Sequence, residues 1–517
     1  MSSEKIPSEA LAQGNGKLDV QVFSATGLIV LGVAAVALIS PDAFLSILTS
    51  FKAEVTGKLG WFYTLTTTVL LLTSAVLAFS RHGGLILGSP GDKPEFSNFS
   101  WLSMLISCTV GVGYAFWPVS ESLWHYYQTP YLAEPGTPGA QPVAVAISML
   151  HWGFHTWNIF ALAGLAIALP AFRLGKPMNV AISLYGLLGP GIMGGAVGRL
   201  VEFLAAFATM AGVSTALGLG LIVINGGVKY IFGVSLHPLA LSMVLLALIV
   251  IYMLAAMSGL SKGIRYLAEG NTWLALIWGA FILLAGPTVY MLGGMTQSFG
   301  VYLQNLLYIS FWTDYNWQAP GWLGSWSVFY WLWWISWAPF CGGFFARISR
   351  GRTIREFLIG VTIVPSLISA AWFGILGSGA QYVELNSLAP LWESVQADAG
   401  QGIFRLADAF GGGMAINIVI LISMFFFLAT TADGASYFLA MQMCTGALQP
   451  AKSIIMICSV FMGGLAVILL LTGGLPALQS AGVAAGAVFV FILILMVISL
   501  IRLLNKLNPN RQLSETG

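Results

Sequence analysis

Charged residues are scarce in this chain of 517 residues, because Asp, Glu, Lys and Arg together account for only 8% of it. This composition excludes an ordinary soluble domain, whose surface carries far more charge. The formal net charge of +2 indicates no strongly basic surface, so we expect no nucleic-acid partner.

Cysteine is also rare, and its four copies lie in or beside apolar segments without the spacing of metal ligands: Cys108, Cys341, Cys444 and Cys458. We interpret them as small core residues.

A cleavable signal peptide is not expected either. The first 19 residues are polar, and the apolar stretch from Val22 to Ser40 is longer than that of a signal peptide and lacks a clear cleavage site.

Apolar residues are what the chain has in abundance: they make up 58% of it, and the mean hydropathy is +0.86. Apolar stretches long enough to cross a bilayer recur throughout, which predicts an all-α polytopic membrane protein. We place twelve transmembrane helices near residues 22–40, 61–80, 100–122, 142–170, 196–222, 237–258, 272–293, 322–346, 354–378, 412–440, 453–472 and 480–503.

The positive residues orient these spans. With the N-terminus inside, the predicted outer segments hold only Lys52, Lys58, Lys229 and Arg405. All other lysines and arginines fall on the inner side, where Arg347 to Arg355 form a dense cluster. Because loops rich in Lys and Arg stay in the cytoplasm, we expect both termini there, in a multi-pass protein of a bacterial cytoplasmic (inner) membrane.

Two predicted spans contain breaks: residues 109–113, reading TVGVG, in the third, and Pro339 with Gly342 and Gly343 in the eighth. A broken helix exposes backbone carbonyls, which a membrane tolerates only where they face protein, water or an ion. Since the eighth span follows the third by five, the pattern fits two inverted repeats of five helices after two extra helices. The alternative is that the glycines only permit close helix packing.

Tryptophan is concentrated in the predicted eighth span, at Trp331, Trp333, Trp334 and Trp337. Their electron-rich faces can hold an organic cation that has no hydrogen bonds to give. At about 100° per residue on a helix, Trp152, Trp157 and Phe160 of the fourth span spread over an arc of roughly 140°, so they can face the same cavity. The alternative is tryptophan that packs in the core or lies in an interfacial belt.

Two histidines, His151 and His155, lie one helical turn apart and could hold a metal or be a haem axial ligand. No acidic residue is near them in sequence, so a membrane-bound metal or haem enzyme is only a remote alternative. Glu121 and Asp433 are acidic residues in or at the ends of spans, where a functional role is the default hypothesis. We interpret Glu121 as a structural or gating residue, or else as a plain interface position.

Four sequence blocks, in order, resemble the betaine/carnitine/choline transporter family. The strongest covers residues 329–357, where FYWLWWISWAPF and ARISRGRTIREF stand close to the family signature; the others are 116–126, HWGFHTWNIF at 151–160 and AFATMAGVSTALGLG at 206–220. The resemblance covers most of the chain. It implies a secondary transporter of quaternary-ammonium or related compounds that works by alternating access in membrane lipid, with no organic cofactor.

The resemblance also implies a LeuT-like 5+5 inverted repeat and commonly a homotrimer. The domains are then a cytoplasmic tail at 1–21, two peripheral helices at 22–98, the first repeat at 99–293, an interfacial surface helix at 294–320, the second repeat at 321–505 and a cytoplasmic tail at 506–517. The implied substrate site consists of Trp152, Trp157, Phe160, Trp333, Trp334, Trp337, Gly111 and Gly113. Family members often have tyrosine where Phe160 stands.

Sodium is the coupling ion that the resemblance implies, held by Ser107, Val110, Phe427, Thr430 and Thr431. Threonine in a membrane helix commonly bonds to its own preceding turn, which is the alternative for the last two residues. Sodium-independent exchangers carry a positive side chain on the fifth span, and this chain has none between residues 202 and 225.

A second sodium site at Thr209 is doubtful by the same resemblance. Val213 takes the place of its partner hydroxyl, although Ser214 or Thr215 could compensate.

The substrate expected first is glycine betaine. Choline carriers of the family tend to have an acidic residue at the position of Gly113, so a substrate with its own carboxylate fits better. The alternatives are a sodium-independent exchanger or a proton-coupled carrier of carnitine, choline, dimethylsulfoniopropionate or trimethylamine oxide.

Overall fold

The computed structural model describes residues 17–109, 111–257, 263–447 and 449–507, without the side chains of residues 107, 108, 238, 239, 251–257 and 263–268. Val110, which the resemblance assigns to the sodium site, lies outside these ranges, as does most of each predicted tail. Within them the chain is helical, and the extended backbone forms one isolated antiparallel bridge between Ile86 and Thr353.

The described ranges contain eighteen α-helices in chain order, together with short 3₁₀ turns: α1 Val20–Ile39, α2 Pro41–Phe79, α3 Asn98–Thr109, α4 Gly113–Tyr127, α5 Ala140–Trp152, α6 Phe154–Leu174, α7 Tyr185–Leu188, α8 Ala196–Phe232, α9 Pro238–Met257, α10 Gly263–Ala285, α11 Thr288–Phe311, α12 Trp322–Ser325, α13 Ser327–Arg347, α14 Ile354–Leu385, α15 Leu391–Ala397, α16 Gly402–Ala409, α17 Gly413–Met443 and α18 Lys452–Lys506. The prediction of an all-α membrane protein is confirmed.

Seven helical segments in these ranges are long and apolar enough to cross a membrane: α1, α2, α5 with α6, α8, α14, α17 and α18. The bent pair α10 and α11 makes an eighth if it counts as one span. Helix α18 has 55 residues, about 80 Å at 1.5 Å per residue, which is far more than a bilayer core. It is kinked at Gly473 and Gly474, and the second of these has φ +57°, a conformation that favours glycine. The layout of twelve spans remains a prediction.

The two predicted helix breaks have different outcomes. The first is confirmed, because α3 ends at Thr109 and α4 begins at Gly113. The second is wrong, because α13 continues through Pro339 and the two glycines after it. A Cβ at Gly342 would press on Ala163 of α6, and one at Gly343 would overlap the Phe438 ring of α17. The glycines of α13 therefore permit close helix packing, which was the alternative to a broken helix.

Two further breaks were not predicted. Gly153 separates α5 from α6 with φ −102° and ψ −134°, so the arc calculated for residues 152–160 does not describe one continuous helix. Gly286 and Pro287 separate α10 from α11, which are bent by 108° relative to each other. Helix α11, which follows this bend, begins at Thr288, earlier than the surface helix expected at 294–320.

Helix α13 forms the centre of the molecule, and every residue from Ser327 to Ala346 is buried. It packs against α6, α8 and α18, and α6 is buried from His155 to Phe172. The outermost helix, α1, instead exposes Leu28 and other large apolar side chains. A core of this kind, surrounded by helices with apolar outer faces, suits a lipid environment.

The arginine cluster holds one end of α13 to the segment before α3. Arg347 Nη1 lies 3.3 Å from Glu95 Oε2, and Arg350 Nε lies 3.2 Å from Asp92 Oδ2. Arg355 Nε donates to the carbonyl of Ala78 at 2.9 Å. These contacts fix the polar end of the core, on the side opposite the start of α13.

Candidate functional site

Six helices, α3, α4, α5, α8, α13 and α17, meet at a small cavity in the core. Trp152, the last residue of α5, faces the start of α4 and the middle of α13, while α8 and α17 close the other sides. The cavity is lined by Thr109, Gly111, Val112, Gly113, Trp152, Ala216, Trp333, Trp334, Trp337, Leu428 and Thr431. Its volume of about 10 Å³ is close to what one water molecule needs. The rings must therefore move apart to admit a larger ligand.

Four indole rings make up the aromatic part of this wall. Trp334 stacks on Trp333, with ring centroids 4.6 Å apart and planes 20° apart, and meets Trp152 edge to face at 4.9 Å. Trp337 lies 6.4 Å from Trp334 at 76°. A cation bound among these rings is attracted to their negative faces and not to their edges.

We call Trp152, Trp333, Trp334 and Trp337 the aromatic box. Trp157 and Phe160, which were also predicted for the substrate site, lie beyond these rings and do not line the cavity in this structure. Phe160 packs edge to face on Trp334 at 6.1 Å, and Trp157 lies parallel to Phe345 at 6.4 Å. The break at Gly153 lies between Trp152 and these two residues, so the spacing of one continuous helix does not describe their positions relative to Trp152. Both rings are fully buried next to the box.

Two glycines let the broken segment approach the rings. A Cβ at Gly113 would overlap the benzo end of the Trp152 indole, and one at Gly111 would overlap the Phe427 ring of α17. Any other residue at either position would displace an aromatic ring from its place. Glycine at these two positions is therefore a steric requirement of this arrangement.

The indole N–H groups of the box differ in their partners. Trp333 Nε1 donates to the Gly212 carbonyl at 3.1 Å, and Trp334 Nε1 donates to the His151 carbonyl at 3.0 Å. Trp337 Nε1 is buried and has no acceptor in the part of the chain that the structure describes. A buried donor left without a partner costs free energy, so Trp337 is available to a ligand group.

Trp152 is held by an acidic residue that the sequence motifs did not connect to it. Its Nε1 donates to Glu121 Oε2 at 3.1 Å, and the Tyr330 hydroxyl donates to the same oxygen at 2.7 Å. The other oxygen of Glu121 contacts His151 Nδ1 at 2.5 Å and His125 Nε2 at 3.2 Å. The only sequence feature that pointed to Glu121 was the presence of an acidic residue within an apolar helix.

The His151 and His155 pair does not form a metal site. His151 joins Glu121, whereas the His155 ring stacks on Trp331 at 4.9 Å. No acidic residue lies near His151 in sequence, but Glu121 contacts it in space. Glu121, His125 and His151 could face one ion by distance alone, but a 2.5 Å contact between Glu121 and His151 is a direct hydrogen bond.

Among the residues predicted for sodium that the structure describes, Thr431 is the one that lines the cavity. Thr431 of α17 lines it opposite Gly111, and Ser107 lies in the last turn of α3. The hydroxyl of Thr430 donates to the carbonyls of Phe426 and Phe427 at 3.0 Å each, which is the bond to its own preceding turn. Of these two threonines, Thr431 is the one that lines the cavity.

The hydroxyls of the fifth predicted span are used in different ways. Ser214 donates to the Met462 carbonyl and Thr215 to the Leu478 carbonyl, both at 2.8 Å, so both hydroxyls are taken by α18. Thr209 Oγ1 is buried without a partner among the residues described. Compensation by Ser214 or Thr215 for a second sodium site finds no support.

Asp433 lies in α17, two residues beyond Thr431, and is fully buried. Neither of its carboxyl oxygens has a hydrogen-bond partner in the described structure. A buried carboxylate without a partner is costly, so a cation or a proton close by would stabilise it.

Residues 21–509 match the model of a family described as BCCT, betaine/carnitine/choline family transporter. The chain belongs to the BCCT family. This confirms the family inferred from the sequence blocks and the prediction that the protein is a multi-pass membrane transporter and not an enzyme.

Curated BCCT relatives match over almost the whole chain. The glycine betaine transporter OpuD of Bacillus subtilis (strain 168) is 38% identical over 483 residues, which cover 92% of this chain and 94% of that protein. A probable glycine betaine transporter of Desulfitobacterium hafniense (strain Y51) is 37% identical over 91% of this chain and 94% of its own length. An ectoine/hydroxyectoine transporter of Virgibacillus pantothenticus is 33% identical over 95% of this chain and 97% of its own.

Proposed function

We propose that this BCCT protein imports a zwitterionic quaternary-ammonium compound of the glycine betaine type by sodium symport and alternating access. The observation that carries the proposal is the cavity walled by Trp152, Trp333, Trp334 and Trp337. Relatives named as glycine betaine transporters support it. The expected organisation is two inverted five-helix repeats after two extra helices, in a homotrimer with both termini in the cytoplasm.

A zwitterion suits the cavity because its wall contains no charged side chain. A ligand that brings its own counter-charge avoids leaving a buried charge unpaired. Each desolvated ring face contributes about 2 kcal/mol to binding an ammonium group, so several rings offset much of its lost hydration. Ectoine, which one relative is named for, also carries both charges, but glycine betaine is better matched to a box of aromatic faces.

The direct test is uptake of labelled glycine betaine into proteoliposomes. We expect saturable uptake that depends on an inward sodium gradient and ceases when potassium replaces sodium. Uptake that persists in potassium would instead favour the exchanger or proton-coupled alternative. One net charge entering through 100 mV releases about 2.3 kcal/mol, so the membrane potential alone contributes substantially to accumulation.

Trp337→Phe is expected to raise the KM for glycine betaine about tenfold, which corresponds to about 1.4 kcal/mol of lost binding. We assign the free Nε1–H of Trp337 to the substrate carboxylate, and phenylalanine keeps the ring while it removes this donor. Trp278→Phe is the matched control, because Trp278 Nε1 is also buried without an acceptor among the described residues but lies in α10, outside the cavity. Equal KM values in the two variants would remove this assignment.

Thr431→Ala is expected to raise the sodium concentration for half-maximal uptake about tenfold, because Thr431 lines the cavity and its hydroxyl would be lost as a ligand of the ion. Thr430→Ala should have a smaller effect, since that hydroxyl already bonds to its own helix. Ser436→Ala is the control: its hydroxyl donates to the Ala432 carbonyl at 2.7 Å and touches no part of the cavity. The measurement is initial uptake rate against sodium concentration at constant ionic strength.

A further inference from the structure

Glu121 is a fully buried carboxylate placed directly behind one wall of the aromatic box. It lies in α4, about two turns beyond Gly113, and none of its side chain is exposed. No lysine or arginine forms an ion pair with it within the described ranges. Its partners are four neutral or titratable donors on three helices: Trp152, Tyr330, His151 and His125.

The bond to Trp152 sets how that ring faces the cavity. An indole ring has a positive edge and a negative face. Glu121 accepts the N–H, the most positive part of that edge, at 3.1 Å, while the benzo end of the ring lies against Gly113 at the cavity. The charge of the carboxylate further strengthens the attraction that a cation in the cavity experiences, because it acts through a medium of low dielectric constant.

A second chain of contacts leads from Glu121 to the other side of the box. Glu121 contacts His151 Nδ1, the His151 Nε2 lies 2.9 Å from Ser327 Oγ, and the His151 carbonyl accepts the Trp334 N–H at 3.0 Å. Tyr330, one turn before Trp334 on α13, donates to Glu121 directly. One carboxylate thus orients rings on both α5 and α13.

We propose that Glu121 is a positioning residue that selects a cationic headgroup: it orients Trp152 and Trp334, and its negative charge behind the Trp152 ring makes the box prefer a trimethylammonium group to an uncharged group of the same shape. This proposal rests on the proposed function. A residue that only filled space would not distinguish the two headgroups.

The test compares two ligands with purified full-length protein in sodium. Glycine betaine carries the trimethylammonium group, and 3,3-dimethylbutanoate has the same shape with a neutral tert-butyl group. Binding of each is followed by tryptophan fluorescence. For Glu121→Gln we expect the Kd for glycine betaine to rise about tenfold while the Kd for 3,3-dimethylbutanoate changes less than about threefold.

Glu384→Gln is the control that removes a carboxylate elsewhere. Glu384 accepts from the Tyr127 hydroxyl and the Trp392 backbone N–H, at 3.1 and 2.9 Å, and does not touch the box. We expect it to leave both Kd values unchanged. Glu121→Asp retains the charge with a shorter side chain, so it should keep the preference for glycine betaine even where both affinities fall.

The proposal would be overturned if Glu121→Gln left the preference for glycine betaine intact, whether both affinities fell equally or neither changed. Loss of the preference in Glu121→Asp to the same extent as in Glu121→Gln would also overturn it, because the charge would not be the cause. If the wild-type protein itself fails to bind glycine betaine, the proposed function fails instead, and the two failures are distinguishable.

Discussion

Trp334→Leu is expected to abolish saturable uptake of glycine betaine, with a loss of at least about 100-fold in kcat/KM. The ring of Trp334 stacks on Trp333, meets Trp152 edge to face and supports Phe160, so leucine removes one wall of the box and the support of its neighbours. Loss of one desolvated cation–π contact costs about 2 kcal/mol, or roughly 30-fold, and disorder among the remaining rings adds to it. Initial rates in proteoliposomes measure the effect.

Trp331→Leu is the control for folding. Trp331 is on the same helix and is equally buried, but its ring stacks on His155 and lines no part of the cavity. Both replacements remove a similar volume from the core and are expected to destabilise the protein by less than the about 3–5 kcal/mol that truncation of a buried tryptophan to alanine costs. If Trp331→Leu lost uptake as completely as Trp334→Leu at equal amounts of folded protein, the proposal that the aromatic box binds the substrate would be wrong.

The aromatic part of the site could be predicted because helical spacing is local information. Trp333, Trp334 and Trp337 all belong to α13, and a continuous helix brings them to one side of the cavity as their spacing indicates. The glycines of residues 109–113 likewise indicated the break between α3 and α4. These features depend on residues close together in sequence.

The parts that could not be predicted depend on residues far apart. Glu121 and Tyr330 are separated by 209 positions, and nothing in either segment indicates the other. The same limit explains the wrong break in α13. Glycine permits either a kink or a close helix contact, and the choice is made by Ala163 and Phe438 of neighbouring helices.

Gly113→Ala is expected to reduce kcat/KM for glycine betaine by at least about 50-fold, although it adds a single methyl group. The new Cβ would overlap the benzo end of the Trp152 ring, so the ring has to turn and lose its bond to Glu121. Overpacking a buried site by one methyl group costs about 1–3 kcal/mol. Here it would destabilise the conformation that binds the substrate. An acidic residue at this position, which the resemblance implies for choline carriers of the family, would require a differently placed Trp152.

Gly464→Ala is the matched control, because Gly464 lies inside α18 and a Cβ there would meet open space. Alanine at this position should preserve uptake and raise the thermal midpoint slightly.

The contact between position 113 and Trp152 can be tested further by adding Trp152→Phe to Gly113→Ala. Phenylalanine lacks the benzo carbons that the new methyl group would meet, so the double variant should transport no worse than Trp152→Phe alone. If the two losses multiply, the contact between position 113 and Trp152 does not determine the shape of the cavity.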